Sequence, residues 1–154
     1  MPRSEKIFPE TVVRENYVEV QYQFVEFLSA QLIDFRKLFH GDLDELLVFM
    51  MISRFYLRDE LRQKQESDPA VRHGAPPTPS RIAELTGIPR ETVRRKLKKL
   101  EQSGLLIKTP AGDWSVAETA GQPTIRIRFE DFLQKEMSRV TRFAKAVAPF
   151  ISHL

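Results

Sequence analysis

A chain of 154 residues with 42% hydrophobic and 29% charged side chains can bury a sizeable core and has the composition of an ordinary soluble globular protein. The lack of cysteine excludes disulfides, thiol nucleophiles and cysteine metal sites, and a net charge of +3 with a pI near 9.3 favours a polyanionic partner. MPRSEKIFPE carries no signal-like apolar run, and the longest such run, Leu46 to Ile52, is far too short to span a bilayer, so a cytoplasmic location is expected.

Residues 1–9 are polar, end in Pro9 and read as an arm. From Thr11 onward Val13, Tyr17, Val20, Phe24, Phe27, Leu28, Leu32, Phe35 and Phe39 recur with a period near 3.6. This predicts a helix of roughly 27 residues, about 40 Å long. So many aromatic residues need more partner surface than one small domain offers. The helix is expected at a subunit interface, the alternative being a helix laid over its own domain. Gly41 breaks the pattern, and Asp42 with Glu45 forms a capping box for a second helix. Leu43, Leu46, Leu47, Val48, Phe49, Met50, Met51 and Ile52 leave its first half almost no polar face, so burial on nearly all sides is expected there. Its second half, Arg54 to Lys64, is amphipathic. Residues 65–77, QESDPAVRHGAPP, form a linker whose Arg72 and His73 either touch a nucleic-acid backbone or are simply solvated.

Thr78 can cap a third helix, with Pro79 at its first position, where the missing N–H costs nothing. Ile82, Ala83 and Leu85 give a short apolar face, and Gly87 supplies the positive φ that ends the helix. Pro89 restarts the chain as a fourth helix over 89–103, where Val93, Leu97 and Leu100 form one stripe expected to pack on Ile82 and Leu85. Stepping 100° per residue puts Glu91, Arg95, Lys98 and Gln102 opposite that stripe, with Arg94 and Lys99 on its flanks. Six cations against two carboxylates give this helix a charge of +4, so the rest of the chain sums to −1. Charge concentrated on one element is the footprint of a helix that enters a nucleic-acid groove.

Gly104 stops that helix. Leu105 to Lys108 and Trp114 to Val116 read as the two strands of a wing joined by a turn at Thr109 to Asp113. Its cation, Lys108, is expected at a phosphate, and Trp114 is expected to pack against the helices. Glu118 to Pro123 reads as a loop, and Thr124 to Phe129 as a short strand or extended lead-in. A last amphipathic helix spans about 130–148, with Leu133, Met137, Val140, Ala144 and Val147 on one face, and ends at Pro149. It is expected to pair with the first helix and build a dimer.

The run GIPRETVRRKLKKLEQSGLL resembles the recognition helix of winged-helix regulators of the Crp/Fnr type, with Arg90, Glu91, Thr92, Val93 and Arg95 in register. The resemblance implies that Arg90 and Arg95 read guanine edges, that Glu91 accepts from a cytosine amino group, and that Thr92 meets a phosphate or caps the helix. It covers about residues 78 to 116. Residues 1 to 77 lack the strand alternation and cysteines of that family's sensor, so cyclic-nucleotide signalling is not implied. The layout of the whole chain looks like the MarR group, although the acidic-x-arginine wing motif is absent from Thr109 to Val116.

The expected fold is mainly α with a small β-wing, a winged helix-turn-helix flanked by long N- and C-terminal dimerisation helices. Its expected parts are an N-terminal helical region (1–64), linker (65–77), DNA-binding domain (78–117) and C-terminal region (118–154). The expected function is a homodimeric, sequence-specific transcriptional regulator of double-stranded DNA. Its contacts are Thr78, Ser80, Arg90, Glu91, Thr92, Arg94, Arg95, Lys98, Lys99 and Lys108. No catalytic motif, cofactor site or metal-ligand spacing is present, and carboxylates such as Asp42, Glu45, Asp59 and Glu60 are explained by caps and solvated faces. Two alternatives stand. One is a winged-helix protein-interaction module. The other is a MarR-like repressor that responds to an unidentified small molecule lined by Phe49, Met50, Phe55 and Tyr56.

Overall fold

The structure, a computed structural model, describes residues 14–65 and 77–151. The arm at 1–9, the helix start at Thr11, Val13, and Arg72 and His73 of the linker lie outside the described residues. In chain order the elements are α1 (Tyr17–Leu38), α2 (Leu43–Gln65), α3 (Pro79–Thr86), α4 (Arg90–Gln102), β1 (Leu106–Lys108), β2 (Trp114–Val116), β3 (Glu118–Thr119), β4 (Gln122–Pro123), α5 (Thr124–Arg128) and α6 (Glu130–Ile151). They form two compact units, one over Arg36–Glu130 and the other from the chain up to Phe35 and from Asp131 onward. The architecture is the mainly α winged helix-turn-helix that the apolar periodicity and turn chemistry call for.

In the unit over Arg36–Glu130, the residues after α1 turn through His40 (φ 52°) and Gly41 (φ 80°). Gly41 N–H donates to Arg36 C=O at 2.8 Å, a bond spanning five residues that satisfies a terminal helix carbonyl. Asp42 Oδ1 then accepts from Glu45 N–H at 3.0 Å and caps α2. Helix α2 packs on α3, α4 and β2 through Leu46, Val48, Phe49 and Ile52, all buried, with the Phe39 and Phe49 rings 5.8 Å apart. Burial does not extend all round its first half, because Leu43 is 57% and Met50 43% exposed. These two share a line with exposed Leu57 and Leu61, at separations close to whole helical turns.

Thr78 Oγ1 accepts from Arg81 N–H at 3.2 Å, Pro79 sits at the first helical position, and Gly87 (φ 73°) closes α3 by donating to Ala83 C=O. Thr86 Oγ1 ties the turn, donating to Ile82 C=O at 2.7 Å and accepting from Ile88 N–H at 3.3 Å. Ile82, Val93, Leu97 and Leu100 are completely buried, whereas Leu85 is 48% exposed. Ile88, 6% exposed, is the second buried aliphatic of this segment, because the turn at Gly87 swings it inward. Thr78→Ala should cost about 1 kcal/mol through the lost cap, read as a lower urea midpoint with an unchanged denaturant slope.

β1 and β2 pair antiparallel, Leu106 opposite Val116 and Lys108 opposite Trp114. Their turn is closed by Thr109 N–H to Asp113 C=O at 2.7 Å, with Gly112 at φ 86°. The expected loop at 118–123 is instead a hairpin, β3 against β4. Ala120 (φ 52°) and Gly121 (φ 74°) form its tip, the positive-φ pair that a two-residue hairpin of this twist needs. The segment 124–129, expected as a short strand or extended lead-in, instead holds the short helix α5. β4 ends at Pro123, which directly precedes it. Tyr56 anchors this region by donating to Glu118 Oε1 at 2.7 Å. Burial, the Glu118 bond and nearby carboxylates push its phenol up to about 12, so it stays a donor.

In the other unit α1 and α6 run antiparallel, since Phe24 and Phe27 meet Phe143 while Phe35 meets Phe132. Between these aromatics lies a polar layer. Gln31 donates to Glu136 Oε1 at 2.6 Å, and Arg139 donates to Gln31 Oε1 at 3.2 Å and pairs with Asp34. Burial raises the Glu136 carboxyl, against the opposing pull of Gln31 and Arg139. The seam of α6 is thus Phe132, Glu136, Arg139 and Phe143, not the expected apolar face. Val147 of that face is buried, but Met137 is 57% and Val140 41% exposed. Pro149 lies within α6 rather than ending it, and so close to the last turn the missing N–H removes only one late bond.

Candidate nucleic-acid interface

Three charged groupings set the pose of α4. On the side facing α2, Lys96 pairs with Asp42 Oδ2. Lys99 Nζ lies 2.5 Å from Glu45 Oε2 and 3.7 Å from Asp42 Oδ2. Burial on its own would raise the Asp42 carboxyl, but bonds from Lys96 and from Glu45 N–H, with the Lys96 and Lys99 charges, hold it below the usual range. The Glu45 bond and the two carboxylates raise Lys99. At the C-terminal end Arg128 of α5 donates to Ser103 C=O, placing a cation where the helix dipole is negative. Local sequence explains Asp42 and Glu45 by a cap and a solvated face, and it reads the segment of Arg128 as a short strand or extended lead-in. The shared i, i+3 spacing of 42/45 and 96/99 was the one signal that pointed to the first contact.

The opposite side of α4 is open. Arg90, Glu91, Arg94, Arg95, Lys98 and Gln102 are exposed, and Thr92 is half-buried. Arg94 lies 3.6 Å from Glu91, while among the described residues Arg90, Arg95 and Lys98 have no carboxylate partner. Thr78 and Ser80 stand at the start of α3, and Thr78 shares one side of the domain with Arg94, Lys98 and Lys108. Thr78, Arg94, Lys98, Lys108, Asp113 and Trp114 line one open groove between α4 and the wing. Trp114 is half-buried there, with Lys108 Nζ 5.7 Å from its ring centroid. Lys99 is the expected contact that the structure draws elsewhere, toward α2.

Residues 70–109 match the family described as a helix-turn-helix domain. The match covers about a quarter of the chain and ends at Thr109, at the turn of the wing. The matched segment takes in α3, the Gly87 turn, α4 and β1. Such domains are the DNA-binding modules of regulators, and that coarse reading follows from the match. The Crp/Fnr and MarR likenesses are finer than the match reaches. No curated protein and no solved structure matches the chain. Among the described residues no helix is long and apolar enough to cross a membrane.

The residues expected to line an effector site, Phe49, Met50, Phe55 and Tyr56, all belong to α2. Phe49 is buried against Phe39, and Met50 is exposed. Tyr56 is turned to Glu118, and Phe55 is covered by the Arg58 guanidinium 4.4 Å from its centroid.

Proposed function

We propose that the chain is a homodimeric, sequence-specific regulator of double-stranded DNA transcription, with α4 as the recognition helix in the major groove. The observation that carries this reading is the face of α4 formed by Glu91, Arg95 and Lys98, open to solvent and backed by the fully buried Val93, Leu97 and Leu100. Arg90 and Arg95 suit the N7 and O6 edge of guanine, and Glu91 the amino group of cytosine. In this reading Thr78, Ser80, Thr92, Arg94, Lys98 and Lys108 meet backbone phosphates, which position the domain without reading sequence. Selection from a pool of random duplexes at near-physiological salt tests this. A palindromic motif with half-sites about 34 to 36 Å apart is expected. Recovery of DNA without a motif would overturn the base-reading assignment, and no recovery would favour the protein-interaction alternative.

Support for the homodimer comes from the pair of α1 and α6. Measured around each helix from its seam, Val25, Leu28 and Leu32 of α1 and Leu133, Met137 and Val140 of α6 lie rotated in the same sense by roughly 70–130°. In an antiparallel pair equal rotations lead to the same side, so the two flanks join into one apolar face. Val25, Leu28, Leu32, Met137 and Val140 on it are each more than a third exposed. Two helices with a continuous uncovered apolar face gain most by packing on an identical pair into a four-helix bundle. The double substitution Leu32→Glu/Val140→Glu should convert the protein to monomer in sedimentation velocity. It should weaken binding to a palindromic duplex about 10²-fold or more, as bivalency is lost, while binding to a single half-site stays within about twofold. A dimer that survives the substitution would place the interface elsewhere.

A further inference from the structure

Two of the six cations of α4 are engaged from within the fold. Lys96 has 14% of its side chain exposed and pairs with Asp42, and Lys99 pairs with Glu45, itself 9% exposed. The two lysines are three residues apart on α4, and the two carboxylates are three residues apart at the start of α2. Each helix therefore presents its pair from a single face. Asp42 is held doubly, because its other oxygen is the α2 cap, so the carboxylate meeting Lys96 has little freedom to turn away. The result is a two-point tether across the α2–α4 packing. A shift of α4 by one residue would rotate its surface by 100° and break both points.

Resting on the DNA-binding reading above, we infer that Asp42 and Glu45 are positioning residues of the nucleic-acid interface. They hold Lys96 and Lys99 off the phosphate backbone and so limit the part of the affinity that ignores sequence. The effect of an extra phosphate contact on affinity is calculable. Each lysine that neutralises a phosphate steepens the dependence of log K on log salt by about 0.9 on any B-form duplex, equivalent to about fivefold in affinity at 0.15 M salt. That gain is the same for the cognate site and for every competitor. A recognition helix with two of its six cations occupied internally therefore binds every duplex less tightly, with the ratio between cognate site and competitor unchanged, and its remaining open face is richer in groups that read base edges.

The test compares variants of the full chain on the selected duplex and on a scrambled one, across a salt series. Asp42→Asn/Glu45→Gln removes both negative charges while Asn keeps the cap, since Asn and Asp cap about equally well. Far-UV circular dichroism and thermal melting check that it folds. The expected result is a salt slope steeper by about one to two, affinity for both duplexes raised about fivefold per released lysine at 0.15 M salt, and an unchanged ratio between them. Lys99→Gln alone, which leaves Asp42 and Lys96 paired, should keep the slope unchanged, in contrast to Lys98→Gln, which should lower it by about one. The inference is overturned if the double variant folds with an unchanged slope, or if Lys99→Gln lowers the slope as Lys98→Gln does. Should the double variant fail to fold, the Lys99→Gln comparison decides alone. Failure of the underlying reading is seen separately, as an unaltered chain that binds neither duplex.

Discussion

Leu97→Ala should destabilise the unit over Arg36–Glu130 by about 2–5 kcal/mol, the range for truncating a leucine in a close-packed interior. Leu97 is completely buried in the middle of the stripe between Val93 and Leu100, and α4 packs on α2, α3 and β1 at once. Removing three carbons there leaves a cavity bounded by elements that a cap, a tether and a strand pairing already hold, so collapse around it is limited. The loss is read as a fall in the urea midpoint with little change in slope. A loss below about 1 kcal/mol would mean that the stripe is not the centre of this core. Arg95→Ala, one turn boundary away but exposed, should leave the same midpoint within about 0.5 kcal/mol. The pair of variants separates the inward face of α4 from its outward one.

The same Arg95→Ala variant should lose about 1–3 kcal/mol of binding to the selected duplex, roughly 5- to 150-fold, and relax preference at one base position. A bidentate guanidinium on a guanine edge is the contact whose loss has that size. Glu91→Ala should behave differently. Its carboxylate is 82% exposed and leans on Arg94, so its removal also removes repulsion from phosphate. Relaxed choice at a second position with little loss of affinity is expected. Lys98→Ala should weaken all sequences alike and lower the salt slope by about one. Competition binding on a set of singly substituted duplexes at several salt concentrations measures all three. If Arg95→Ala and Glu91→Ala both lower affinity without altering sequence preference, these side chains do not read bases.

Several features of the helix-turn-helix were legible because each depends on chemistry within a few residues. Thr78 caps, Pro79 starts and Gly87 ends α3, and the hairpin of the wing turns at Gly112. Such rules failed where two local readings competed. Residues 124–128, with isoleucines at alternate positions, suit a strand by pattern, yet β4 ends at Pro123 and the segment closes as a helix instead. Leu85 falls on the expected face of α3, yet the Gly87 turn brings Ile88 into the core and leaves Leu85 in solvent. In α6 the apolar flank from Leu133 to Val147 and the seam from Phe132 to Phe143 are neighbours on one helix. Periodicity alone does not say which of them meets α1.

By itself the sequence determined where the helices of the DNA-binding segment start and stop, which side of α4 is buried, and that cations crowd its other faces. Those outcomes follow from backbone sterics and a 3.6-residue repeat, both of which act over short stretches of chain. Only the tertiary structure decided which cations remain open. Lys96 and Lys99 meet Asp42 and Glu45 across more than fifty residues of chain, and Arg128 reaches Ser103 from beyond the wing. Pairing between charges is set by their distance in space, which no local pattern encodes. Read along the chain, the lysines look equivalent, and the fold gives them different partners.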